Sequence, residues 1–308
     1  MLHFMSIFCL SLSVSIYSET EKYTNNTNDP LVNLNNSLKV GKENNNSEEY
    51  GISPLTAVIL SNNTEAVKLL LKMGTHTNYT ELSSLLKYAI FNKNTEILKL
   101  LLENGADPNR EDEDRVFPLS DAIWSDNNEA VKLLLEKGAD PNYENEIGIS
   151  PTSTSLYDAI ESKNTESVKL LLEHGADPNH KIDANYYPLN DASNYNDTKV
   201  IKLLLEKGAD PNNKDEEGIS PLNDAIWNNN TEVIRLLLEK GADPNNKDKD
   251  DISPLNNAIW NNNTEAVKLL LEKGAHTSYT KLYSLLYYAI SKKNTEILKL
   301  LLENGVNS

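Results

Sequence analysis

Cysteine is all but missing: of 308 residues only Cys9 carries a thiol. It lies in an apolar N-terminal run, so the folded part holds no internal disulfide, thiolate metal site or cysteine nucleophile. Large aromatics are scarce too, with three tryptophans and four phenylalanines, few for a globular enzyme of this length. Positive charge is in deficit, 29 Lys and Arg against 46 Asp and Glu, for a net charge of −17. Such a field repels nucleic acid and anionic membrane, and leaves basic protein surfaces as the favoured partners. The five histidines (His3, His76, His174, His180 and His276) show no HExxH spacing. There is no glycine-rich phosphate loop, no G-x-S-x-G elbow and no convergent Ser/His/Asp set. These absences point away from an enzyme and from any cofactor or metal. Acidic runs such as Glu111-Asp112-Glu113-Asp114 and Asp215-Glu216-Glu217 fall in loops, where solvated carboxylates with ordinary pKa values are expected. The acids Asp248, Asp250 and Asp251 lack the EF-hand order and would hold calcium loosely at most.

Residues 1–18 contain no acid, Lys or Arg and carry an apolar-plus-serine run from Phe4 to Ile16. That run is too short to span a bilayer but suits the core of a secretory signal, with cleavage after Ser18 or Ser15. The flanking basic residue of such signals is missing. Cleavage would make the chain secreted or periplasmic, without an integral membrane segment; otherwise it is cytoplasmic. Residues 19–49 are polar and asparagine-rich and read as a linker, in which Leu31, Val32, Leu34 and Leu38 offer a short capping helix.

From residue 50 onward the chain repeats itself. The tract K/R-L-L-L begins at Lys68, Lys99, Lys132, Lys169, Lys202, Arg235, Lys268 and Lys299, with successive steps of 31, 33, 37, 33, 33, 33 and 31 residues. Five repeats close on the same string, GADPN, from Gly105–Asn109 to Gly241–Asn245. This spacing defines eight units: 50–78, 79–109, 110–142, 143–179, 180–212, 213–245, 246–278 and 279–308.

The unit 213–245 shows the physics. Ser220 is placed to cap a helix, and Pro221 suits its first position, where an N–H has no helical partner. Leu222, Ala225 and Ile226 form one apolar stripe. Asn228-Asn229-Asn230 breaks the helix, because asparagine tolerates left-handed backbone. Asn230 or Thr231 caps a second helix, with Glu232 favourable at its positive end. Val233, Ile234, Leu236, Leu237 and Leu238 give that helix an apolar face too wide for one neighbour. Gly241 supplies the left-handed terminator. A helix pair this small cannot bury its own leucines, so the units must stack into an all-α solenoid.

The string S-P-L-N-D-A-I and the LLLEKGAD beyond it resemble the ankyrin repeat, whose own pattern is T-P-L-H-x-A. The resemblance covers residues 50–308. Asn190, Asn223 and Asn256 stand where the family has His, and Asn229-Asn230 and Asn262-Asn263 replace its Gly-His between helices. Repeats two and eight read Ser84-Leu85-Leu86 and Ser284-Leu285-Leu286 in place of Ser-Pro-Leu. Repeat four carries about four extra residues over Thr152–Ser155, read as a bulged loop. Residues 61–105 and 261–305 align at an offset of 200, as if a two-repeat block had been copied. After the last second helix no polar cap is evident, so its leucines are expected to face solvent or a partner.

Such arrays imply a non-catalytic scaffold that binds a partner protein through its concave inner-helix surface and loop tips. The position after Ala-Ile in each first helix reads Leu60, Phe91, Trp124, Glu161, Asn194, Trp227, Trp260 and Ser291, and takes up all three tryptophans. At about 100° per residue, with Leu222 at zero, Ile226 falls near 40° and Trp227 near 140°, off the buried stripe. In ankyrin domains the corresponding position faces the target-binding concave surface, so the resemblance makes Phe91, Trp124, Trp227 and Trp260 the expected partner-binding residues; the alternative for these rings is packing against the next repeat. Trp beside Asn and Asp also suits a glycan or other small ligand. Eight N-x-S/T sequons, at Asn25, Asn35, Asn45, Asn62, Asn78, Asn196, Asn229 and Asn262, matter only in an exported eukaryotic protein.

Overall fold

The computed structural model describes residues 53–74, 79–112, 115–145, 153–181 and 187–305. The expected leader, linker and capping helix within residues 1–49 lie outside them. Among the described residues the structure is helical, apart from two-residue extended stretches at Glu144–Asn145 and Ser153–Thr154. The chain divides into two compact units, Met1–Ile147 and Gly148–Ser308. In the first unit α1 (Pro54–Leu60) pairs with α2 (Thr64–Lys72). Next, α3 (Tyr79–Ser84) and α4 (Leu86–Phe91) pair with α5 (Thr95–Glu103), and α6 (Pro118–Trp124) with α7 (Asn128–Glu136). The second unit holds α8 (Ser155–Glu161) with α9 (Thr165–Glu173), and α10 (Pro188–Asn194) with α11 (Thr198–Glu206). It continues with α12 (Pro221–Trp227) and α13 (Thr231–Glu239), α14 (Pro254–Trp260) and α15 (Thr264–Glu272), and α16 (Tyr279–Ser291) and α17 (Thr295–Gly305). Within each unit first helices pack on first helices and second helices on second helices.

Helix boundaries obey the expected chemistry with one change. Pro221 opens α12, Asn229 adopts the left-handed conformation (φ 55°), and Asn230 caps α13 by accepting a hydrogen bond from the Val233 N–H at 3.1 Å. Thr231 is the first helical residue, so the capping role goes to Asn230 alone. Ser220 occupies the N-cap position of α12 without capping it; its hydroxyl donates to Asn223 Oδ1 at 3.3 Å. On α13, Val233, Ile234 and Leu237 are fully buried and Leu238 nearly so, which is the two-sided burial that stacking demands. Each such side chain contributes about 1.5–3 kcal/mol. Gly241 ends the helix at φ 95°, and a Cβ there would meet no heavy atom within 4 Å, so backbone conformation and not space requires glycine.

Two departures from the regular repeat have a local cause. Where Leu replaces Pro, the first helix is no longer obliged to begin there, since the residue before it is released from the extended region. α16 accordingly starts at Tyr279 under Ser278, whose hydroxyl accepts from the Lys281 N–H (3.4 Å), and runs for 13 residues. In repeat two the same extension is broken at Leu85 into α3 and α4. The loop expected over Thr152–Ser155 is placed too late. Ser155 is the first residue of α8, and Thr154 caps it by accepting from the Tyr157 N–H. Ser155 thus takes the place of the helix-opening proline, and any extra loop precedes Thr154.

The asparagine surplus is structural. The last residue of GADPN reaches forward one repeat: Asn212 Nδ2 donates to the Gly241 carbonyl (3.0 Å) while its Oδ1 accepts from the Asp243 N–H (2.7 Å). Asn109, Asn179 and Asn245 make the same two bonds, the last to the His276 N–H, so the histidine in that turn joins the clamp through its backbone. A second ladder runs along the turns between helices. Asn230 Nδ2 donates back to Asn196 Oδ1 (2.6 Å), Asn94 to Asn62 (2.7 Å) and Asn294 to Asn262 (2.8 Å). One amide therefore caps its own helix with its oxygen and ties the preceding repeat with its nitrogen. Each such bond is worth about 0.5–1.5 kcal/mol net.

Candidate functional site

The four residues singled out from the sequence fall in two pairs, one in each unit. Phe91 and Trp124 end α4 and α6, which pack on one another, and both rings are half-buried. Trp227 and Trp260 end α12 and α14, also neighbours, and remain 45% and 40% exposed. Packing against adjacent repeats thus claims part of every ring and more of the first pair than of the second. In the remaining places of the same register Leu60 is buried, Glu161 half-buried, and Asn194 and Ser291 exposed. The indole of Trp227 is set by a well-tied helix end: Asn228, next in the chain, donates through Nδ2 to the Ser193 carbonyl of the preceding repeat (3.0 Å). Asn261 after Trp260 does the same toward the Ile226 carbonyl.

Residues that sequence reasoning misses lie one helical turn before this row. Asp158, Asp191, Asp224 and Asn257 share one register on α8, α10, α12 and α14, and each is at most 8% exposed. These are helix acids, outside the loop runs for which solvated carboxylates are expected. Burial, and then the charges of Glu161 and Asp215, push Asp191 up to about 7. Burial, and then Asp215 and Asp191, push Asp224 up to about 8. Asp191 Oδ2 is buried without a hydrogen-bond partner, as is Asn257 Nδ2. On a helical wheel Asp224 falls near 200° from Leu222, on the side that ought to face water. A single-helix wheel misses it because α10 and α14 both pack against α12 and cover its flanks. The signal available in the sequence was the recurrence of Asp at a fixed step of 33 residues, 158 to 191 to 224.

The loop acids have specific work. Asp215 Oδ1 accepts from the N–H groups of Glu217 (3.0 Å) and Ile219 (2.8 Å), and Asp248 Oδ1 from those of Asp250 and Ile252, so each folds its own hairpin tip. Burial raises the Asp215 carboxyl above its ordinary range. The two tips touch: the Lys249 N–H donates to the Glu217 carbonyl at 3.0 Å, and a Cβ on Gly218 would lie 3.0 Å from that nitrogen, which excludes larger residues. Asp251 is held by Lys247 (2.7 Å) and Lys281, which lower its carboxyl to about 2. The hollow of the second unit at Lys163, Thr165, Tyr195 and Thr198 is shallow and open, and lies beside the inter-helix turns. Among the described residues no group of three or more His, Cys, Asp or Glu is arranged to hold a metal ion, and no helix is long and apolar enough to cross a membrane.

Stacked helix pairs and left-handed inter-helix turns define a helical-repeat fold. The family model for ankyrin repeats (3 copies) matches residues 24–112, 86–145, 109–182, 156–248 and 222–308, and the chain belongs to the ankyrin-repeat family. Among solved structures it is similar to the ankyrin repeat domain of Bcl-3, a member of the IkappaB protein family. The identity is 26% and the TM-score 0.61, covering 72% of this chain and 100% of that one. It is likewise similar to an ankyrin repeat domain from Acinetobacter baumannii, at 28% identity and TM-score 0.57, covering 62% of this chain and 98% of that one. No curated protein sequence matches. Ankyrin repeats are in general protein–protein interaction modules, and the fold typically serves as a non-catalytic scaffold.

Proposed function

We propose that this chain binds a partner protein across the inner-helix surface of its second unit, concave by family resemblance, with Trp227 and Trp260 as anchors. The observation that carries the reading is their exposure, 45% and 40%, at one register on adjacent helices whose ends are fixed by Asn228 and Asn261. Tryptophan is enriched among interface hot spots, each worth about 2–4 kcal/mol when a partner covers it. Trp124 and Phe91 extend the same register in the first unit and contribute less, being more covered already.

A pull-down from extract and culture medium of the source cells tests this, comparing wild type with the Trp124/Trp227/Trp260→Ala triple variant. The expected outcome is a partner lost by the variant while its helical circular dichroism is retained. Equal capture by both would move the site to the hairpin tips. A rise in melting temperature with added oligosaccharide alone would favour the glycan reading. Delivery outside the cytoplasm accompanies the proposal, on the strength of the apolar run Phe4–Ile16. A mature N-terminus at Glu19 or Ile16 is the expected finding; retention of residues 1–18 in the native protein would refute it.

A further inference from the structure

We propose that the buried aspartate register of the second unit is a receptor for arginine side chains, so that the partner engages the tryptophan row with a basic segment. This rests on the reading above and supplies the partner's chemistry. Asp191 and Asp224 occupy the same place on the neighbouring helices α10 and α12, each 8% exposed. Asp191 Oδ2 has no hydrogen-bond donor at all. A buried carboxylate oxygen without a donor is costly to the folded state, so these groups hold their protons when empty; a cationic donor that reaches them removes the cost and releases the protons.

The surroundings select the donor. The charges acting on Asp191 are those of Glu161 and Asp215, those acting on Asp224 are Asp215 and Asp191, and no basic group is among them. That field favours a cation. No described acid cluster has the form of a metal site, which leaves an organic cation. Asp224 stands three residues before Trp227, and residues at that spacing are neighbours on a helix surface. A carboxylate beside a half-open indole matches guanidinium, which bonds carboxylate with its edge and stacks its plane on an aromatic ring. A lysine ammonium can make the charge contact but lacks the plane, and it gives up more hydration. The register repeats on adjacent helices, so a segment with more than one arginine fits better than a lone cation.

The test uses the full chain and a synthetic peptide of arginines spaced by glycine and serine, with three companions: a lysine version, a citrulline version and free spermidine. Citrulline keeps the shape of arginine and removes its charge. Binding is followed by calorimetry and by the fluorescence of the tryptophans. Two double variants are compared, Asp191→Asn/Asp224→Asn in the register and Glu216→Gln/Asp250→Asn on exposed hairpin tips, each removing two acids. The first is expected to fold, because Asn257 already occupies this register in the next repeat. The arginine peptide should bind in preference to the lysine peptide, fail as the citrulline peptide, and lose about tenfold or more in affinity on the register variant alone. Equal losses on the two double variants would show only the diffuse field of an acidic protein and overturn the proposal. Binding unaffected by the register variant, or spermidine binding as tightly as the arginine peptide, would overturn it as well. If the tryptophan triple variant loses its native partner while the register variant keeps it, the scaffold reading survives and this inference alone fails.

Discussion

Residues 61–105 and 261–305 are near-copies of one sequence set in different surroundings, one in each unit, and they separate what a repeat owns from what its neighbour lends it. In the first copy Ile90 is fully buried and Leu102 is 9% exposed; their counterparts Ile290 and Leu302 are 58% and 49% exposed. Ser83, 4% exposed, accepts from the Asp107 N–H (2.8 Å), whereas its counterpart Tyr283 is 59% exposed. Lys87 is paired at 3.3 Å with the mostly buried Asp112 of the next repeat, while Tyr287 stands 76% open. Part of the backward-facing set is common to both copies, although Asn92, which donates to the Ile59 carbonyl (3.1 Å), is replaced by Lys292. Asn94 and Asn294 cap their own helices and bind Asn62 and Asn262 of the preceding repeat at 2.7 and 2.8 Å. Shared residues such as Ile90/Ile290 and Leu102/Leu302 thus change surroundings between the copies, while the tie of Asn94/Asn294 to the repeat behind is common to both.

Substitution at matched positions should break this symmetry most strongly at the isoleucines. Ile90→Ala is expected to cost about 2–5 kcal/mol in urea unfolding, since it opens a cavity in a packed interior. Ile290→Ala, at a surface already open to water, should stay below about 1 kcal/mol. Equal losses would mean that exposure does not set the difference between the copies.

The second unit offers a finer contrast at one register, Asp191 and Asp224 against Asn257. Both carboxyls are raised in the folded chain, to about 7 and about 8, above the ordinary value they keep when unfolded. The folded state therefore binds these protons more tightly, and stability falls as pH rises from about 4 toward about 8, then levels off. Asp191→Asn/Asp224→Asn should leave stability at pH 4 nearly unchanged and raise it at pH 8 by about 1–3 kcal/mol. Thermal melts across that range read it directly, and a variant as pH-sensitive as wild type would sink the assignment.

The smallest expected effect is an equality. Asn94→Ala and Asn294→Ala should each cost about 1–2 kcal/mol, and the same amount as each other, because both amides reach into the preceding repeat. A clear inequality would show that the ladder depends on the repeat ahead of it as well as the one behind.

Much of the array was legible because its boundaries are written in residues with little conformational choice. Pro221 at a first turn, Asn229 in a left-handed turn and Gly241 at a helix end each admit few alternatives. The stacking was legible in the leucines of α13, too many for one face. Side-chain partners escaped, both local ones and those in a neighbouring repeat. The side chain of Ser220 turns to Asn223 instead of capping, and Asn190 and Asn223, in the histidine place of the family, find different partners. Asn190 donates forward to the Ile219 carbonyl at 3.0 Å, while Asn223 accepts locally from Ser220. Asp224 looks solvent-facing on its own helix and is covered only once the flanking helices are in place. The tryptophans were found because a rare residue recurring at one register needs no neighbour to be noticed. Their degree of exposure did.

The two asparagine ladders also give the molecule a chemical clock. Side-chain amides hydrolyse slowly to carboxylates, and asparagine is among the thermolabile residues for that reason. At Asn212 the change would replace the N–H donor facing the Gly241 carbonyl by an oxygen, setting acceptor against acceptor in a chain already strongly negative. At Asn230 it would leave the helix cap intact and remove the donor that ties it to Asn196 and Thr198. An array joined in this way ages first at its seams, and because the leucines are buried by stacking, a loosened seam exposes them.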